Sequence, residues 1–192
     1  MSKGEVVLLD FWVSPFAMRA KIALAEKGVK FEAREEDLFG GKSELLLTSN
    51  PVYKKVPVLI HNGKPVLESS IIVNYIDDAW PTPSLLPACP YEKSVEKFWA
   101  DFIDKKVLEE ALGKKDYFGG DTFGFVDIIA IPLTSWFHAY EVFGNFKVDD
   151  ECPKFSAWMK KCMERETVAK FLPDQTKVYD FVCMMRKMHR LE

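Results

Sequence analysis

The strongest constraint on the fold comes from Pro57, which stands between Val56 and the strand-like run Val58-Leu59-Ile60. A proline after a β-branched residue can hold the preceding peptide bond in the cis form. A cis bond at this point turns the N–H and C=O groups of Val56 outward, where they are free to pair with another chain. This segment therefore predicts a site that grips a small peptide by its backbone at the start of a strand.

The residues after this strand predict a hairpin and then a helix. Asn62-Gly63 is the strongest two-residue hairpin signal, so residues 58–61 and 64–66 are predicted to pair as antiparallel strands. Glu68-Ser69 then precedes an apolar run with helical spacing, which places Ser69 at the N-cap, where backbone N–H groups attract a carboxylate. Glu68 offers a partner for an ammonium group.

The first half of the chain shows a regular order of predicted elements. The order is βαβαββα, which is the layout of a thioredoxin-like domain with one mixed sheet flanked by helices. Its predicted elements are the strand 6–12, the helix 15–27 that stops at Gly28, the strand 31–35, the short helix 43–47, the hairpin and the helix 69–79.

The second half of the chain is predicted to be all-α. Prolines at 81, 83, 87 and 90 indicate a linker, so the predicted domains are 1–80 and 91–192, joined by residues 81–90. The predicted helices cover 91–107, 125–143, 153–165 and 174–188. Asp127 follows Gly124 at the start of the second of these helices, where its carboxylate can accept from the free N–H groups of the first turn.

Composition excludes several classes of function. The 192 residues are 48% hydrophobic with a net charge of −3, which predicts a globular protein without the basic surface that nucleic acid or an anionic membrane requires. No apolar stretch reaches the ~20 residues of a membrane span. The four cysteines are scattered and far from the histidines, so neither a disulfide framework nor a metal site is predicted. The expected location is the cytoplasm.

Many short motifs follow one another along almost the whole chain. They are Ser14-Pro15-Phe16-Ala17-Met18-Arg19, Ala25-Glu26-Lys27-Gly28, Asn50-Pro51-Val52-Tyr53-Lys54-Lys55-Val56-Pro57-Val58-Leu59, His61-Asn62-Gly63-Lys64-Pro65, Glu68-Ser69, Tyr117-Phe118-Gly119-Gly120-Asp121, Gly124-Phe125-Val126-Asp127, Glu151-Cys152-Pro153-Lys154 and Leu172-Pro173-Asp174. With these motifs in this order, the chain resembles the glutathione transferases, specifically the plant tau class. The resemblance implies a thioredoxin-like N-terminal domain and a helical C-terminal domain.

The resemblance also implies roles for five residues in binding glutathione as co-substrate, without a metal. Ser14 would be the catalytic residue, whose hydroxyl donates to the glutathione sulfur. This hydrogen bond favours the thiolate and lowers a thiol pKa that is ~8.5 in free cysteine. Lys42 would contact the glycine carboxylate, Val56 would pair with the cysteine backbone, and Glu68 with Ser69 would hold the γ-glutamyl end.

Further residues have two interpretations each. Arg19 fits either a cation behind the glutathione site or an ordinary surface charge. In the family the pocket for the second substrate lies between the domains, and its candidate lining residues here are Phe11, Phe16, Leu38 and Trp136. The apolar periodicity of these four residues favours plain core over pocket lining.

One departure from the tau pattern falls between Val107 and Leu108. The pattern continues here for roughly 28 more residues, equivalent to ~40 Å of helix at 1.5 Å per residue. The C-terminal domain is therefore expected to be shortened, with more damage to the electrophile pocket than to the glutathione site. Family members are dimers in which the first helices of the second domain meet the partner's first domain, so the resemblance implies a homodimer.

The function that follows from the resemblance is conjugation of the glutathione thiolate to small hydrophobic electrophiles, as in detoxification and stress responses. Two alternatives stay open. A shortened chain can act as a non-catalytic binding protein for glutathione or apolar ligands. The same thiolate can also reduce peroxides, which would make the protein a glutathione-dependent peroxidase.

Overall fold

The computed structural model describes residues 4–105, 112 and 115–190, and the chain divides into two compact units between Glu96 and Lys97. The first unit contains a mixed β-sheet with helices, and the described part of the second contains helices. This confirms the predicted class, an α/β thioredoxin-like domain followed by an all-α domain. The predicted gap between Val107 and Leu108 lies outside the described residues.

The first unit is built on a four-stranded sheet with the strand order β2-β1-β3-β4. Strand β1 is buried along its whole length and pairs in parallel with β2 and antiparallel with β3, and β3 pairs antiparallel with β4. A central strand buried on both faces explains why its sequence is a continuous apolar run. The strands are β1 (Val6–Asp10), β2 (Glu32–Glu35), β3 (Val58–His61) and β4 (Lys64–Leu67).

Three helices complete the first unit in the predicted βαβαββα order. They are α1 (Pro15–Glu26), α2 (Glu44–Ser49) and α3 (Ser69–Ala79). Gly28 has a φ of +61°, which ends the first of these helices as a left-handed residue that glycine adopts without steric cost. The hairpin turn has positive φ at both Asn62 (53°) and Gly63 (73°), which is the geometry that an Asn-Gly pair favours.

The predicted linker, residues 81–90, packs against the first unit. The ammonium of Lys27 forms a buried ion pair with Asp77 and also donates to the carbonyl of Pro83. The same carboxylate accepts from the backbone N–H of Leu85 at 2.7 Å. These contacts hold the segment in place, while the domain boundaries at 80 and 91 stay a prediction.

The second half of the chain is helical wherever regular structure is described. No described helix is both long and apolar enough to cross a membrane. The helices are α4 (Pro90–Lys105), α5 (Phe125–Ala130), a 3-10 helix (Ile131–Trp136), α6 (Phe137–Gly144), α7 (Val148–Glu151), α8 (Pro153–Met163), α9 (Glu166–Ala169) and α10 (Gln175–Met188).

The continuous helix predicted over 125–143 is wrong, because the 3-10 helix interrupts it. Pro132 has no N–H to donate to the preceding turn. The hydroxyls of Thr134 and Ser135 donate back to the carbonyls of Ile131 and Pro132, both at 2.7 Å. Local bonds of this kind compete with the α-helical ladder and favour the tighter turn.

Asp127 caps α5 as predicted, since its carboxylate accepts from the Gly124 N–H at 2.9 Å. The same carboxylate also accepts from the Phe118 N–H at 3.0 Å and from the indole N–H of Trp158 at 2.8 Å. Burial is the dominant influence and raises the pKa of Asp127 to about 6, while these hydrogen bonds oppose the rise. One buried carboxylate thus joins three segments of the second unit.

Candidate glutathione site

The sheet topology brings four chain segments to one edge of the first unit. In the register of the sheet, Leu9 of β1 pairs with Val58 of β3, and Val58 in turn pairs with Leu67 of β4. The carboxyl end of β1, the start of β3 and the end of β4 therefore meet. Asp10 pairs with Glu35 in the parallel pair, so the carboxyl end of β2 reaches the same edge. The predicted glutathione-binding residues lie on the loops that leave this edge.

Ser14 stands directly before α1 and caps it. Its Oγ accepts from the Ala17 N–H at 3.3 Å, and its own N–H donates to the Phe11 carbonyl at 2.8 Å. Pro15 occupies the first helical position, where its missing N–H costs nothing. None of the described residues accepts the hydroxyl proton of Ser14, so this proton is available to a ligand at the helix N-terminus.

Val56 presents unused backbone groups at the same edge. The Val56-Pro57 peptide bond is cis. Outside the helices and the β-ladder, none of the described residues hydrogen-bonds the N–H or C=O of Val56. Its side chain packs partly buried against the cluster Val7, Leu9, Leu46 and Val58, which fixes the position of the backbone.

Glu68 and Ser69 differ from the sequence prediction in one respect. The predicted N-cap, Ser69, is instead the first helical residue of α3, and Glu68 occupies the cap position without a side-chain cap hydrogen bond. Glu68 is exposed and has a φ of +68°, which is strained for a residue with a long side chain and is typical of ligand sites. The strained turn leaves the first N–H groups of α3 without a side-chain acceptor from the cap, so they can bind an anion.

Lys42 lies on the loop that follows β2. The carboxylate of Glu36 fixes the conformation of this loop through hydrogen bonds. Both oxygens of the buried Glu36 carboxylate accept from Ser43, one from its N–H at 3.0 Å and one from its hydroxyl at 2.7 Å. Ser43 also caps α2 by accepting from the Leu46 N–H at 3.0 Å. The ammonium of Lys42 donates to the Lys54 carbonyl at 2.8 Å, which holds it near the segment that leads to Val56.

The same loop has a second carboxylate, that of Asp37. Backbone N–H groups of Gly40 and Phe39 hold the pKa of the Asp37 carboxyl below its usual range, because they hydrogen-bond its charged form. Lys42, Lys54 and Lys55 are all exposed, so this side of the edge carries a group of cations that would attract a carboxylate.

Arg19 is fully buried, so its interpretation as a surface charge is wrong. It donates from one guanidinium nitrogen to the Ser69 hydroxyl oxygen at 3.1 Å, and its Cζ lies 5.0 Å from the ring centre of Phe16. The contact joins α1 to the start of α3. Sequence reasoning left Arg19 open and did not identify Glu36, because the partners of both are distant in sequence and no spacing signal marks them.

The candidate pocket residues have different surroundings. Phe16 is 46% exposed and Phe11 is half-buried with its ring 6.0 Å from that of Phe39. Leu38 packs against the first unit's core cluster, which favours the core interpretation for this residue. Trp136 belongs to the second unit, half-buried, with its ring edge-to-face at 6.1 Å from Phe181. Within the described residues, no three His, Cys, Asp or Glu side chains are grouped so as to hold a metal ion.

Two family models match this chain. The model described as "Glutathione S-transferase, N-terminal domain" matches residues 4–78, and the one described as "Glutathione S-transferase, C-terminal domain" matches residues 105–166. The first match covers every strand of the sheet and all the segments that meet at its edge.

A relative of high similarity is the "Probable glutathione S-transferase parC" of Nicotiana tabacum. It is 52% identical over 222 aligned positions that cover 100% of both chains. The alignment is 30 positions longer than the 192 residues of this chain, so the tobacco protein has residues that are missing here. This shortfall agrees in size with the gap predicted from the tau pattern.

Solved structures give the same assignment. The crystal structure of rice GST1 (OsGSTU1) in complex with glutathione superimposes with a TM-score of 0.93 at 43% identity, covering 98% of this chain and 99% of the rice chain. The tau-class glutathione S-transferase of mango, Mangifera indica, gives 0.87 at 34% identity, covering 94% and 98%. By sequence and by fold, this chain belongs to the glutathione S-transferase family, in its plant tau class.

Proposed function

We propose that the protein binds glutathione at the sheet edge of the first unit and transfers its thiolate to small hydrophobic electrophiles. The observation that carries the proposal is the free hydroxyl proton of Ser14 at the N-terminus of α1. A hydroxyl donor at a helix N-terminus stabilises a thiolate over a thiol. Only the thiolate attacks an electrophilic carbon efficiently.

The rest of the edge offers a complementary group for each part of the tripeptide. The unused N–H and C=O of Val56 match the cysteine backbone of glutathione, in the manner of an added β-strand. The exposed Glu68 carboxylate matches the γ-glutamyl ammonium, and the start of α3 with Ser69 matches the adjacent carboxylate. Lys42 matches the glycine carboxylate. These four assignments rest on the geometry of the edge together with the family resemblance.

The reaction requires little from the protein beyond this arrangement. The thiol proton leaves to solvent, the sulfur forms a bond to the electrophilic carbon, and a leaving group such as chloride departs with its electron pair. Catalysis then comes from the stabilised thiolate and from holding the two reactants together. We place this chemistry in the cytoplasm, because all four cysteines are free thiols.

We further propose that the protein forms a homodimer. Large apolar side chains are exposed on the two elements that meet in dimers of the family. In the first unit Val52 is 75% and Tyr53 59% exposed, and on α4 Tyr91 is 75% and Phe98 58% exposed. Tyr91 and Phe98 are seven residues apart and therefore lie on one face of the helix. Sedimentation equilibrium would give twice the 22.1 kDa chain mass if this proposal is correct.

A non-catalytic carrier is the second candidate, and the 30-position shortfall against the tobacco relative favours it. A chain that lacks part of its helical domain can keep the glutathione site while losing the position of the second substrate. Such a protein would bind glutathione or apolar ligands without turnover.

Turnover separates the two candidates. The purified protein would be mixed with glutathione and an activated aryl chloride, and the thioether product would be measured by mass spectrometry against a no-enzyme control. Conjugation that falls at least ~10-fold in Ser14→Ala supports the transferase, on the scale expected for one stabilising donor. Saturable glutathione binding without any turnover would support the carrier instead.

A further inference from the structure

The second unit contains a cavity of about 690 Å³ that has no part in the proposed function. It lies between α6, α7, α8 and the start of α10, and all of its lining residues belong to the second unit. Small-molecule sites in proteins commonly enclose about 300 to 1,000 Å³, with mostly apolar walls and a few polar groups. The cavity therefore has the size of such a site, and its lining determines which chemistry fits it.

Part of the lining is apolar and comes from three helices. Phe137 lies on α6, Val148 on α7, and Met159 and Met163 on α8. The two methionines are one turn apart, so they lie on the same face of α8. The ring of Phe137 is half-buried and stacks on that of Phe155 at 5.9 Å, which holds it in position. Because methionine side chains adapt to different shapes, these walls favour an apolar group such as an aromatic ring.

Two of the three carboxylates in the lining have partners within the second unit. Glu141 pairs with the Lys147 ammonium at 3.6 Å, and Asp149 pairs with the Lys160 ammonium at 3.3 Å. Hydrogen bonds from Ser156 and Lys160 hold the pKa of the Asp149 carboxyl below its usual range, because they stabilise its charged form. Each lysine of the lining therefore has a carboxylate beside it that offsets its charge.

The third carboxylate, that of Asp150, has no such partner. Its side chain is exposed, and none of the described residues forms a hydrogen bond or an ion pair with its carboxylate. The imidazole of His138 and the side-chain amide of Gln175 also line the cavity without a hydrogen-bond partner among the described residues. The lining thus carries one uncompensated negative charge and two further groups that can accept a hydrogen bond.

We propose that this cavity binds a primary organic amine, whose ammonium pairs with Asp150 and whose apolar part packs against Phe137 and Met159. An ammonium has three donors and no acceptor, so it can bond to the carboxylate and to the other acceptors of the lining together. An anion would instead meet the Asp150 charge, with no lysine of the lining left to offset it. The proposed glutathione-binding residues all lie in the first unit, so this inference does not rest on them.

Three probes separate recognition of the charge from burial of the apolar part. They are 4-phenylbutylamine, 4-phenyl-1-butanol and 4-phenylbutyrate, which share one apolar part and carry a positive, a neutral and a negative group at neutral pH. Isothermal titration calorimetry on the full chain measures the Kd of each probe. The amine should bind at least ~5-fold more tightly than the alcohol, which is the scale of one exposed ion pair, and the carboxylate should bind most weakly.

Three variants at exposed positions test the assignment. Asp150→Asn removes the charge and keeps the shape, so the Kd of the amine should rise about fivefold while that of the alcohol stays constant. Met163→Ser shortens the apolar wall, so the Kd values of the amine and the alcohol should rise by the same factor, about threefold. The matched control is Glu151→Gln, which removes an exposed carboxylate of α7 that is outside the lining and should leave all three Kd values unchanged.

Four results would overturn the proposal. Wild-type protein without saturable binding of the amine would mean that the cavity holds only solvent. Tighter binding of the carboxylate probe would assign the cavity to its lysines. An amine Kd that is unchanged in Asp150→Asn, or that rises equally in Glu151→Gln, would remove Asp150 as the recognition group. An unchanged amine Kd in Met163→Ser would put the ammonium site outside the cavity. Glutathione takes no part in these titrations, so the proposed function is tested separately.

Discussion

Two serines at helix starts share one arrangement in the proposed site. Ser14 accepts from the Ala17 N–H, and Ser69 accepts from the Arg19 guanidinium. In both cases the partner can only donate, so the hydroxyl proton is left for the ligand. We assign the first proton to the glutathione sulfur and the second to the γ-glutamyl carboxylate.

Lys42 provides a test at the opposite end of glutathione. Its ammonium is exposed, so its interaction with the glycine carboxylate is screened by water and contributes about 1 kcal/mol. Lys42→Ala should therefore raise the KM for glutathione about fivefold and leave kcat nearly unchanged. Steady-state kinetics with glutathione as the varied substrate would measure both values.

Two comparisons make the Lys42 prediction specific. The glycine monoethyl ester of glutathione lacks the carboxylate charge, so Lys42→Ala should have no effect on its KM. Lys64→Ala removes another exposed lysine from the far end of β4 and should leave both KM values unchanged. An equal loss with the ester would mean that Lys42 does not contact this carboxylate.

The sequence predicts correctly that Ser14 lies at a helix start, but it does not predict that the Arg19 side chain is buried. A serine followed by a proline indicates a helix start because the capping preference acts within one turn. Arg19 and Ser69 are 50 residues apart, and the burial of the guanidinium depends on how α1 packs against α3. Glu36 is similar, since its role becomes visible only when its carboxylate meets Ser43.

At the scale of helices and strands, the elements that the sequence predicts correctly are those set by a few neighbouring residues. The Asn62-Gly63 hairpin is predicted correctly because its positive φ angles are properties of those two residues. The helix over 125–143 is not, because apolar periodicity cannot distinguish an α-helix from a 3-10 segment. Pro132 was the sequence signal against a continuous α-helix. The hydrogen bonds that the Thr134 and Ser135 hydroxyls donate to backbone carbonyls then favour the 3-10 helix.

Asp127 at the start of α5 gives a pH prediction. Its pKa is raised from 3.8 to about 6 in the folded protein, chiefly by burial. Because the folded protein holds this proton more tightly than the unfolded chain does, the contribution of Asp127 to the free energy of unfolding is largest below about pH 4. This contribution is lost as the pH rises through about 6. The free energy of unfolding of the wild type, minus that of Asp127→Asn, should therefore fall by up to about 3 kcal/mol between pH 4 and pH 7.

Urea unfolding of both proteins at several pH values would measure this difference. Subtracting the variant cancels the other titrating groups, which are common to both chains. Asp127→Ala serves as a second variant and should be less stable than Asp127→Asn, because it leaves the Phe118 and Gly124 N–H groups and the Trp158 indole without an acceptor. If the difference in the free energy of unfolding rose with pH instead, the pKa of Asp127 would be lowered in the folded protein. The hydrogen bonds to its carboxylate would then outweigh the effect of burial.

At the scale of the whole molecule, the 30-position shortfall against the tobacco relative is the main departure from the family. We expect it to affect the second substrate more than glutathione, because the segments proposed to bind glutathione all lie within residues 14–69 of the first unit. Measured beside the tobacco protein, the Kd for glutathione should agree within about threefold, which is under 1 kcal/mol. The kcat/KM for an apolar electrophile should be at least ~10-fold lower.

Two results would contradict this prediction. Equal kcat/KM values for the two proteins would show that the shortened chain retains a normal electrophile pocket. A weaker Kd for glutathione with normal use of the electrophile would place the damage in the first unit instead.

The proposed role of Ser14 is tested most directly by the ultraviolet difference spectrum of the protein titrated with glutathione, since the thiolate absorbs where the thiol does not. We predict a saturable thiolate band at neutral pH in the wild type. The band should be lost in Ser14→Ala, because the stabilising hydroxyl is absent, and kept in Ser14→Thr, which retains it. A thiolate band of equal size in Ser14→Ala, or glutathione that binds to the wild type without ionising, would contradict the assignment of Ser14.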